Sequence, residues 1–473
     1  MKNWLIAFLL TCHVGVHADS WLPAAVLIPA GASSEVDYNV TTVYDPVNEI
    51  TVAAWADDSG DYPPIYAIYD GASWTTPGTL IPIGTSSGVS YDVSLIYNST
   101  NKTIVATWKD SIVSYPFYAV FDGSSWITPG SPIAPGLSAG AKSNINLTYN
   151  QANNTVIAAW GDSSTSLAYY SVFDGSNWTV ASLLPIGITS TGVRNDVLLT
   201  YDEANKNVIA AWSDEVTQLP YYSVLNGAIW TVPGFPIPVG TSSGVNDNVT
   251  LVYYPTFKTV IAAWGDTSSS LPFFAIYNGT NWVNASGIPQ GTSQGAYGNI
   301  NMAFDSDSKT IVAAWNEEDI YLPYSSVFNG TFWSTRAIPY TPSAGTNYDV
   351  WLSYNESAHQ MVATWGQYPG NADPYYQIYT IEVSPVTDLG ACSFYNKFAS
   401  QKVWVNRLEW TASSSTFVDG YNIYRNGVLI GQVDSKTFAY TDQGRCKGKN
   451  YTYGVAARTS GGLESAIAII ELP

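Results

Sequence analysis

Short apolar segments, each ending in tryptophan, recur along most of the chain. They read VAAW, VATW or IAAW, and the steps between successive tryptophans are 53, 52, 52, 52, 51 and 50 residues. The tryptophans that end these segments are Trp55, Trp108, Trp160, Trp212, Trp264, Trp315 and Trp365. A nearly fixed period of this length indicates a repeat architecture in which each unit packs against its neighbours.

Within each repeat, the apolar and polar positions predict four short strands. In the second repeat they cover 92–97, 103–108, 116–121 and a stretch that opens at Trp126. Polar turns such as NSTNK and DGSS separate them, which is typical of β-hairpins, and no segment keeps a helical period. The second strand is apolar at nearly every position, so we expect both of its faces to be covered.

The two ends of the repeat region complement one another. The stretch 20–40 aligns without a gap to 73–93, so the region starts with a lone fourth strand, whereas the seventh repeat has only its first three strands. We therefore predict an all-β fold, a seven-bladed β-propeller of four-stranded blades over residues 19–382, in which the N-terminal strand with Trp21 completes the seventh blade. This closure removes open sheet edges, whereas the alternative, a solenoid, would need capping repeats at both ends.

The composition changes after Pro385. The segment around Trp410, the hairpin GYNIYRNG and the strand carrying Tyr451 and Tyr453 follow one another in an order that resembles fibronectin type III domains. The resemblance covers about 90 residues and implies a separate β-sandwich over residues 383–473. Modules of this kind commonly serve as spacers or adhesive appendages on secreted proteins.

The first residues predict export. Lys2 precedes an apolar run that is too short to span a bilayer, and the small residue Ala18 offers a cleavage site. Residues 1–18 are therefore interpreted as a signal peptide, and the mature protein is expected to begin near Asp19. We expect it to be secreted or extracytoplasmic, with the cell surface and the periplasm both open.

Cysteine usage agrees with an exported protein. Cys12 leaves with the signal peptide, so only Cys392 and Cys446 remain, both in the C-terminal module. An even pair of cysteines in an exported domain favours a disulfide between them. The alternative is a pair of buried free thiols.

Charge narrows the choice of partners. The formal net charge is −19, and residues 19–382 alone carry 8 Lys and Arg against 30 Asp and Glu. Such an acidic body repels phosphate backbones and anionic lipid head groups, so we expect no nucleic acid partner and no membrane insertion. Neutral ligands, cationic partners and hard cations stay open.

Few residues are suited to catalysis. His359 is the one histidine after the signal peptide and falls in a predicted turn, so histidine triads and histidine metal sites are excluded from the repeats. Thiol nucleophiles are excluded as well, because the repeats contain no cysteine. Sialidases resemble the repeats in their aromatic residues and Asp-Gly turns, but their motif places Asp five residues before Trp, whereas Asp122 precedes Trp126 by four. A glycoside hydrolase or lyase that uses two carboxylates needs no histidine and remains the alternative function.

Two sets of polar residues recur through the repeats and predict a functional face. The first set precedes the opening apolar residue of each innermost strand: Asn39, Asp92, Asn144, Asp196, Asn248, Asn299 and Asp349. The second set follows each repeat tryptophan by two: Asp57, Asp110, Asp162, Asp214, Asp266 and Glu317, with Gln367 in the seventh repeat. In a propeller the loops that carry both sets open on one face, and the first set surrounds the axis.

Two interpretations of these sets stay open. Asx side chains cap backbone N–H groups in turns, which is a purely structural role. Alternatively, carboxylates and amides beside aromatic walls bind sugar hydroxyls or a calcium ion, although no cofactor is required. The sequence thus predicts a monomeric, lectin-like recognition protein without a catalytic site, which binds neutral glycans or a protein partner through one propeller face. A purely structural interaction scaffold is a further alternative.

Overall fold

The computed structural model describes residues 20–22, 25–60, 62–291, 293–317, 321–338, 345–346, 348–368, 372–398, 401–415, 417–446 and 448–472. The predicted signal peptide, residues 1–18, lies outside the described residues. Every regular element in these ranges is a β-strand. The same ranges contain no helix with the length and apolar character needed to cross a membrane.

Strands β1 (Ser20–Trp21) and β2 (Val26–Leu27) come first, and six sheets of four strands follow. The first sheet contains β3 (Thr41–Asp45), β4 (Ile50–Ala56), β5 (Pro64–Tyr69) and β6 (Trp74–Leu80), and the second contains β7 (Val89–Asn98), β8 (Thr103–Asp110), β9 (Pro116–Phe121) and β10 (Trp126–Pro132). The third contains β11 (Asn146–Asn150), β12 (Thr155–Gly161), β13 (Ala168–Phe173) and β14 (Ser182–Leu183), and the fourth contains β15 (Val193–Asp202), β16 (Asn207–Asp214), β17 (Pro220–Asn226) and β18 (Ile229–Pro236).

The fifth sheet contains β19 (Thr250–Tyr254), β20 (Thr259–Gly265), β21 (Pro272–Tyr277) and β22 (Ser286–Gly287), and the sixth contains β23 (Ala296–Asp305), β24 (Thr310–Glu317), β25 (Pro323–Phe328) and β26 (Trp333–Ala337). The seventh combines β27 (Gly345–Thr346), β28 (Trp351–Asn355), β29 (Gln360–Tyr368) and β30 (Pro374–Thr380) with β1 and β2. In the third sheet, for example, consecutive strands pair antiparallel, as hairpins require.

The second strand of each sheet forms the core between sheets. In the third sheet, β12 pairs with both β11 and β13, and its residues from Val156 to Trp160 are fully buried. Ala159 belongs to the same apolar cluster as Ala210 of the fourth sheet, because small side chains allow the two sheets to approach closely. The continuous apolar pattern of this strand is therefore explained by cover on both faces.

The innermost strands of the sheets form a closed circle. Strand β3 contacts β7, the contacts continue through β11, β15, β19 and β23 to β28, and β28 contacts β3. Four-stranded sheets that radiate from such a circle define a β-propeller. The prediction of an all-β propeller is confirmed at the level of fold class.

The N-terminal strands form the outer edge of the seventh sheet. Strand β2 pairs antiparallel with β30, with Val26 opposite Tyr376. The Trp21 side chain is buried, its ring centroid lies 5.2 Å from that of Tyr379, and its indole N–H donates to Ser325 Oγ of the sixth sheet at 3.0 Å. The strand that the sequence leaves without a repeat therefore joins the first part of this region to the last.

Residues from Ile381 onward belong to a second compact unit. One of its antiparallel sheets has the order β31 (Thr387–Phe398), β32 (Gln401–Thr411), β35 (Ala439–Arg445), and the other has the order β34 (Val428–Asp434), β33 (Gly420–Arg425), β36 (Tyr451–Arg458), β37 (Ala468–Leu472). Residues of both sheets, such as Leu408 and Val455, share one apolar core. The unit is thus a β-sandwich, while its assignment to the fibronectin type III family stays a prediction.

The predicted disulfide between Cys392 and Cys446 is not formed, because both thiols are free and exposed. Cys392 pairs with Arg407 on one side of β32, whereas Cys446 follows Arg445, which pairs with Trp404 on the other side of β32. Adjacent strands lie about 4.8 Å apart, so the two cysteines are at least roughly 10 Å apart, beyond the Cα separation of ~7 Å that a disulfide spans. The alternative of two buried free thiols is right in that the thiols are free and wrong in that both are exposed.

Candidate functional site

The first predicted set of polar residues forms a hydrogen-bonded ring at one end of the innermost strands, here called the axial ring. In six of its steps, the backbone N–H of one member donates to the side-chain oxygen of the next, at 2.8 to 3.2 Å. The members, in order, are Asn39, Asp92, Asn144, Asp196, Asn248, Asn299 and Asp349, and Asp349 returns to Asn39. The structure therefore brings together every residue of this set.

Amide and carboxyl side chains alternate around most of the axial ring. Asn144 Nδ2 donates to Asp92 Oδ2 at 2.9 Å and to Asp196 Oδ2 at 3.2 Å, so one amide bridges two carboxyl groups. A ring with an odd number of members cannot alternate throughout, and the alternation is broken where Asn248 is followed by Asn299, a second amide. Among the described residues, the buried Oδ1 of Asn299 has no hydrogen-bond partner.

Burial raises the pKa of the carboxyl groups at the axis. It raises the pKa of Asp92 and of Asp349 to about 7, with repulsion from neighbouring ring carboxylates adding to both shifts, and it raises the pKa of Asp196. Burial, then Asp349 and Asp196, raises the pKa of Asp247 to about 7. Amide donors, and for Asp247 also the charge of Arg194, oppose these shifts without cancelling them.

The residue before each ring member differs from sheet to sheet and lines the mouth of a pocket. The seventh, first and second sheets place tyrosine there, and the ring centroid of Tyr38 lies 5.2 Å from those of Tyr348 and Tyr91. Tyr297 of the sixth sheet lines the same pocket. These four side chains are called the tyrosine wall. Lys109 Nζ lies 4.8 Å from the centroid of the Tyr91 ring.

The other side of the mouth is polar. The third, fourth and fifth sheets contribute Ser143, Asn195 and Asp247, and Asn195 Nδ2 donates to Asp247 Oδ1 at 2.6 Å. The tyrosine wall and this polar side therefore face each other across the axis. The pocket that they enclose with the axial ring, called the axial pocket, has a volume of about 470 Å³. This lies within the usual range of small-ligand sites, roughly 300–1,000 Å³.

The cations nearest the axial pocket are already engaged. Lys142 forms an ion pair with Glu215, and Arg194 donates to the main-chain oxygen of Asn246 at 2.8 Å. Lys109 Nζ donates to the main-chain oxygen of Lys142 at 3.2 Å. None of these contacts neutralises a carboxylate of the axial ring directly.

The second predicted set lies outside the axial pocket and holds loops. Asp110 Oδ1 accepts from the backbone N–H groups of Ile112 and Val113, and its Oδ2 accepts from Ser86 Oγ and Ser87 N, at 2.6 to 2.9 Å. Equivalent loop contacts occur at Asp57, Asp162, Asp214 and Asp266. Glu317 accepts from Gln294 N at 2.9 Å, and Gln367 takes this place in the seventh sheet.

These capping contacts outweigh burial. Burial raises the pKa of Asp214, but hydrogen bonds from Thr217 and Thr191 together lower it to about 2. The carboxylate is thus ionised and its oxygens are committed to the protein's own donors. Such a group stabilises two loops and has little capacity left for a ligand.

A serine that the sequence analysis missed connects this set to the repeat tryptophans. The indole N–H of Trp108 donates to Ser86 Oγ at 2.9 Å, and Ser86 Oγ donates to Asp110 Oδ2 at 2.9 Å. The equivalent serines, each 22 residues before its tryptophan, are Ser33, Ser138, Ser190, Ser242 and Ser293. That constant spacing is the signal in the sequence that could have identified them.

No group of three or more His, Cys, Asp or Glu side chains in the described ranges is arranged to hold a metal ion. The ring carboxyl oxygens instead accept from neighbouring amides, as Asp349 Oδ2 does from Asn299 Nδ2 at 2.7 Å. Calcium at the axis stays a prediction.

No protein-family model matches the chain, and no curated protein matches its sequence. Among solved structures, the BP39L lectin from Burkholderia pseudomallei is similar with a TM-score of 0.57 and 11% identity, over 72% of this chain and 95% of the lectin. AofleA from Arthrobotrys oligospora gives 0.44 and 12%, over 65% and 88%. The β-propeller domain of the Trilobed protease from Pyrococcus furiosus gives 0.41 and 10%, over 72% and 95%. At such identity the first likeness shows the fold alone, a β-propeller.

Proposed function

We propose that this chain is a secreted or cell-surface recognition protein that binds a glycan in its axial pocket. In this proposal, residues 19–382 form a seven-bladed propeller that acts as a monomer, and residues 383–473 form a fibronectin type III-like module. The closed circle of innermost strands supports seven blades, and the division of the second unit into three- and four-stranded sheets supports the module.

The observation that carries the proposal is the union of an aromatic wall with a floor of amide and carboxyl groups in one pocket. Sugar rings stack their apolar faces on aromatic side chains, while their hydroxyl groups hydrogen-bond to amides and carboxyl groups. Tyr38 and Tyr348 offer the first kind of contact, and Asp247 and Asn299 offer the second. The BP39L structure is described as a lectin, which agrees with a glycan ligand for a propeller of this class.

Ligand contacts are assigned to the axial ring and the pocket mouth. The second set, represented by Asp110 and Asp214, is assigned to loop capping, because its oxygens accept from the backbone and hydroxyl groups of its own loops. Seven equal pockets are not expected in this scheme. The differing mouth residues instead favour one ligand with one orientation.

A glycan array on the full-length protein, followed by calorimetric titration of the best ligand, tests the proposal. Tyr38→Ala is expected to weaken binding by about tenfold or more, since it removes the centre of the tyrosine wall, and Tyr38→Phe is expected to retain most of the affinity. Tyr395→Ala is the matched control, because Tyr395 is an exposed tyrosine of the C-terminal unit.

Two results would overturn the proposal. One is the absence of any bound glycan, and the other is a glycan whose affinity is the same for Tyr38→Ala as for the parent. A defined protein that binds the same face in place of a glycan would assign the chain to interaction proteins.

A further inference from the structure

We propose that the ligand of the axial pocket is a saccharide that carries a protonated amine, and that its ammonium group lies near Asp247. This inference rests on the glycan binding proposed above and specifies the chemical class of the glycan. It also assigns the orientation of the ligand in the pocket.

The negative charge of the axial pocket is only partly compensated. Three carboxyl groups of the axial ring and that of Asp247 surround one pocket, and burial raises the pKa of each. Lys142 is paired with Glu215, and Arg194, which donates to main-chain oxygens, opposes the rise in the pKa of Asp247 without cancelling it. A ligand with a positive charge would offset the remaining negative charge of the carboxyl groups, whereas an anionic sugar would add to the repulsion between them.

The alternation of amide and carboxyl groups in the axial ring is broken between Asn248 and Asn299. At this point the buried Oδ1 of Asn299 has no partner among the described residues. Asp247, which precedes Asn248, accepts from Asn195 at Oδ1, and no described residue donates to its Oδ2. Asp247 Oδ2 is therefore an acceptor without a donor at the mouth of the pocket, and Asn299 Oδ1 is a second one that is buried within the axial ring. An ammonium group brings three donors and a charge, whereas a hydroxyl group brings one donor.

The tyrosine wall is suited to bind a cation. The protein itself places an ammonium group, Lys109 Nζ, over Tyr91, so this wall already stabilises one cation through the face of an aromatic ring. Tyr38 and Tyr348 continue the wall around the pocket. A cationic sugar can thus stack on the tyrosines while its amine reaches Asp247 on the opposite side.

A metal ion would also supply positive charge, but the geometry favours an organic cation. Within the described ranges no three acidic or histidine side chains converge on a point. Ring amides such as Asn144 Nδ2 already donate to the ring carboxyl oxygens that a metal ion would need.

The test compares two probes that differ only at the amine. The full-length protein is titrated at pH 7.5, above the pKa of about 7 of Asp247, with a tetramer of β-1,4-linked glucosamine and with its fully N-acetylated counterpart. We expect the amine tetramer to bind at least about tenfold more tightly. Asp247→Asn is expected to remove most of this preference, measured as the ratio of the affinities for the two tetramers.

The matched control is Asp174→Asn, which removes the same charge from an exposed turn between the third and fourth strands of its sheet. If it abolishes the preference as well, the attraction comes from the overall negative charge and the proposal is wrong. Equal or tighter binding of the acetylated tetramer overturns the amine assignment but leaves glycan binding intact. Failure of both tetramers, together with an empty glycan array, overturns the proposed function itself.

Discussion

Replacing Trp21 should weaken the whole propeller, although this residue is the second of the residues that the structure describes. The side chain is 6% exposed, packs on Tyr379 and donates its indole N–H to Ser325 of the neighbouring sheet. Truncation of a buried tryptophan to alanine typically costs about 3–5 kcal/mol. Trp21→Phe keeps the aromatic contact and loses the hydrogen bond, so a cost of about 1–2 kcal/mol is expected.

Deleting residues 20–30 should cost more than any single substitution. The deletion also removes the buried side chain of Ile28, worth about 2–5 kcal/mol. It removes backbone hydrogen bonds from Leu22 N to Ile378 O and from Ile28 N to Pro374 O, both at 2.8 Å, worth about 1 kcal/mol each. The total, about 7–12 kcal/mol, is comparable to the whole stability of a typical domain. The truncated chain is therefore expected to aggregate or to remain unfolded.

Urea denaturation followed by circular dichroism, with size-exclusion chromatography of each variant, measures these effects. Val26→Ala is the matched control, since this side chain lies on the same edge but is 50% exposed, and its cost should stay within about 0.5 kcal/mol. A synthetic peptide of residues 19–32 should bind the truncated chain and raise its midpoint. Completion of the seventh sheet by the N-terminal strand is refuted if Trp21→Ala has the same unfolding midpoint as the parent, or if the truncated chain is monomeric and equally stable.

The remaining predictions concern charge and thiols. Because Asp92 has a folded-state pKa of about 7 against an ordinary value of 3.8, the folded protein holds more protons between these values. The free energy of unfolding should therefore fall as pH rises from about 4 to about 7 and then level off, and urea titrations at several pH values that show no such fall contradict the assignment. Asp214→Asn should cost about 2–3 kcal/mol, because one amide cannot accept from the backbone of both loops, whereas Asp174→Asn should leave the midpoint unchanged. Cys392 and Cys446 should react with a thiol reagent without denaturant, and equal unfolding midpoints with and without reductant would agree with free thiols.

The closure of the repeat region could be predicted from the sequence because one local pattern is used in every sheet. The packing of the N-terminal strand against the sixth sheet could not be predicted from the sequence. In the second sheet, Trp126 packs edge-on against Tyr66 of the preceding sheet, with ring centroids 5.4 Å apart. Trp21 meets Ser325 at the corresponding place and forms a hydrogen bond in its stead. A compensation of this kind involves positions 304 residues apart, and no periodic signal connects them.

The sequence did not predict the mouth of the axial pocket, because the residues that form it do not recur from repeat to repeat. Attention to recurring residues finds the axial ring, whereas Tyr38 and Asp247 occupy equivalent places and share no chemistry. Their significance depends on the circle of strands, which brings differing residues to face one another. The cysteines show a related limit, since sequence spacing gives the length of a loop but not the strand register that separates Cys392 from Cys446.

The pairing of β2 with β30 has a consequence for biosynthesis. Val26 is translated before its pairing partner Tyr376, and at about 5–20 residues per second the interval between them is roughly 20–70 s. During that interval every nascent chain displays a strand that fits the seventh sheet of any other copy as well as its own. Strand exchange between chains then competes with closure, and its rate rises with the local concentration of chains. A fold that uses its first strand last is thus sensitive to how densely its ribosomes are spaced.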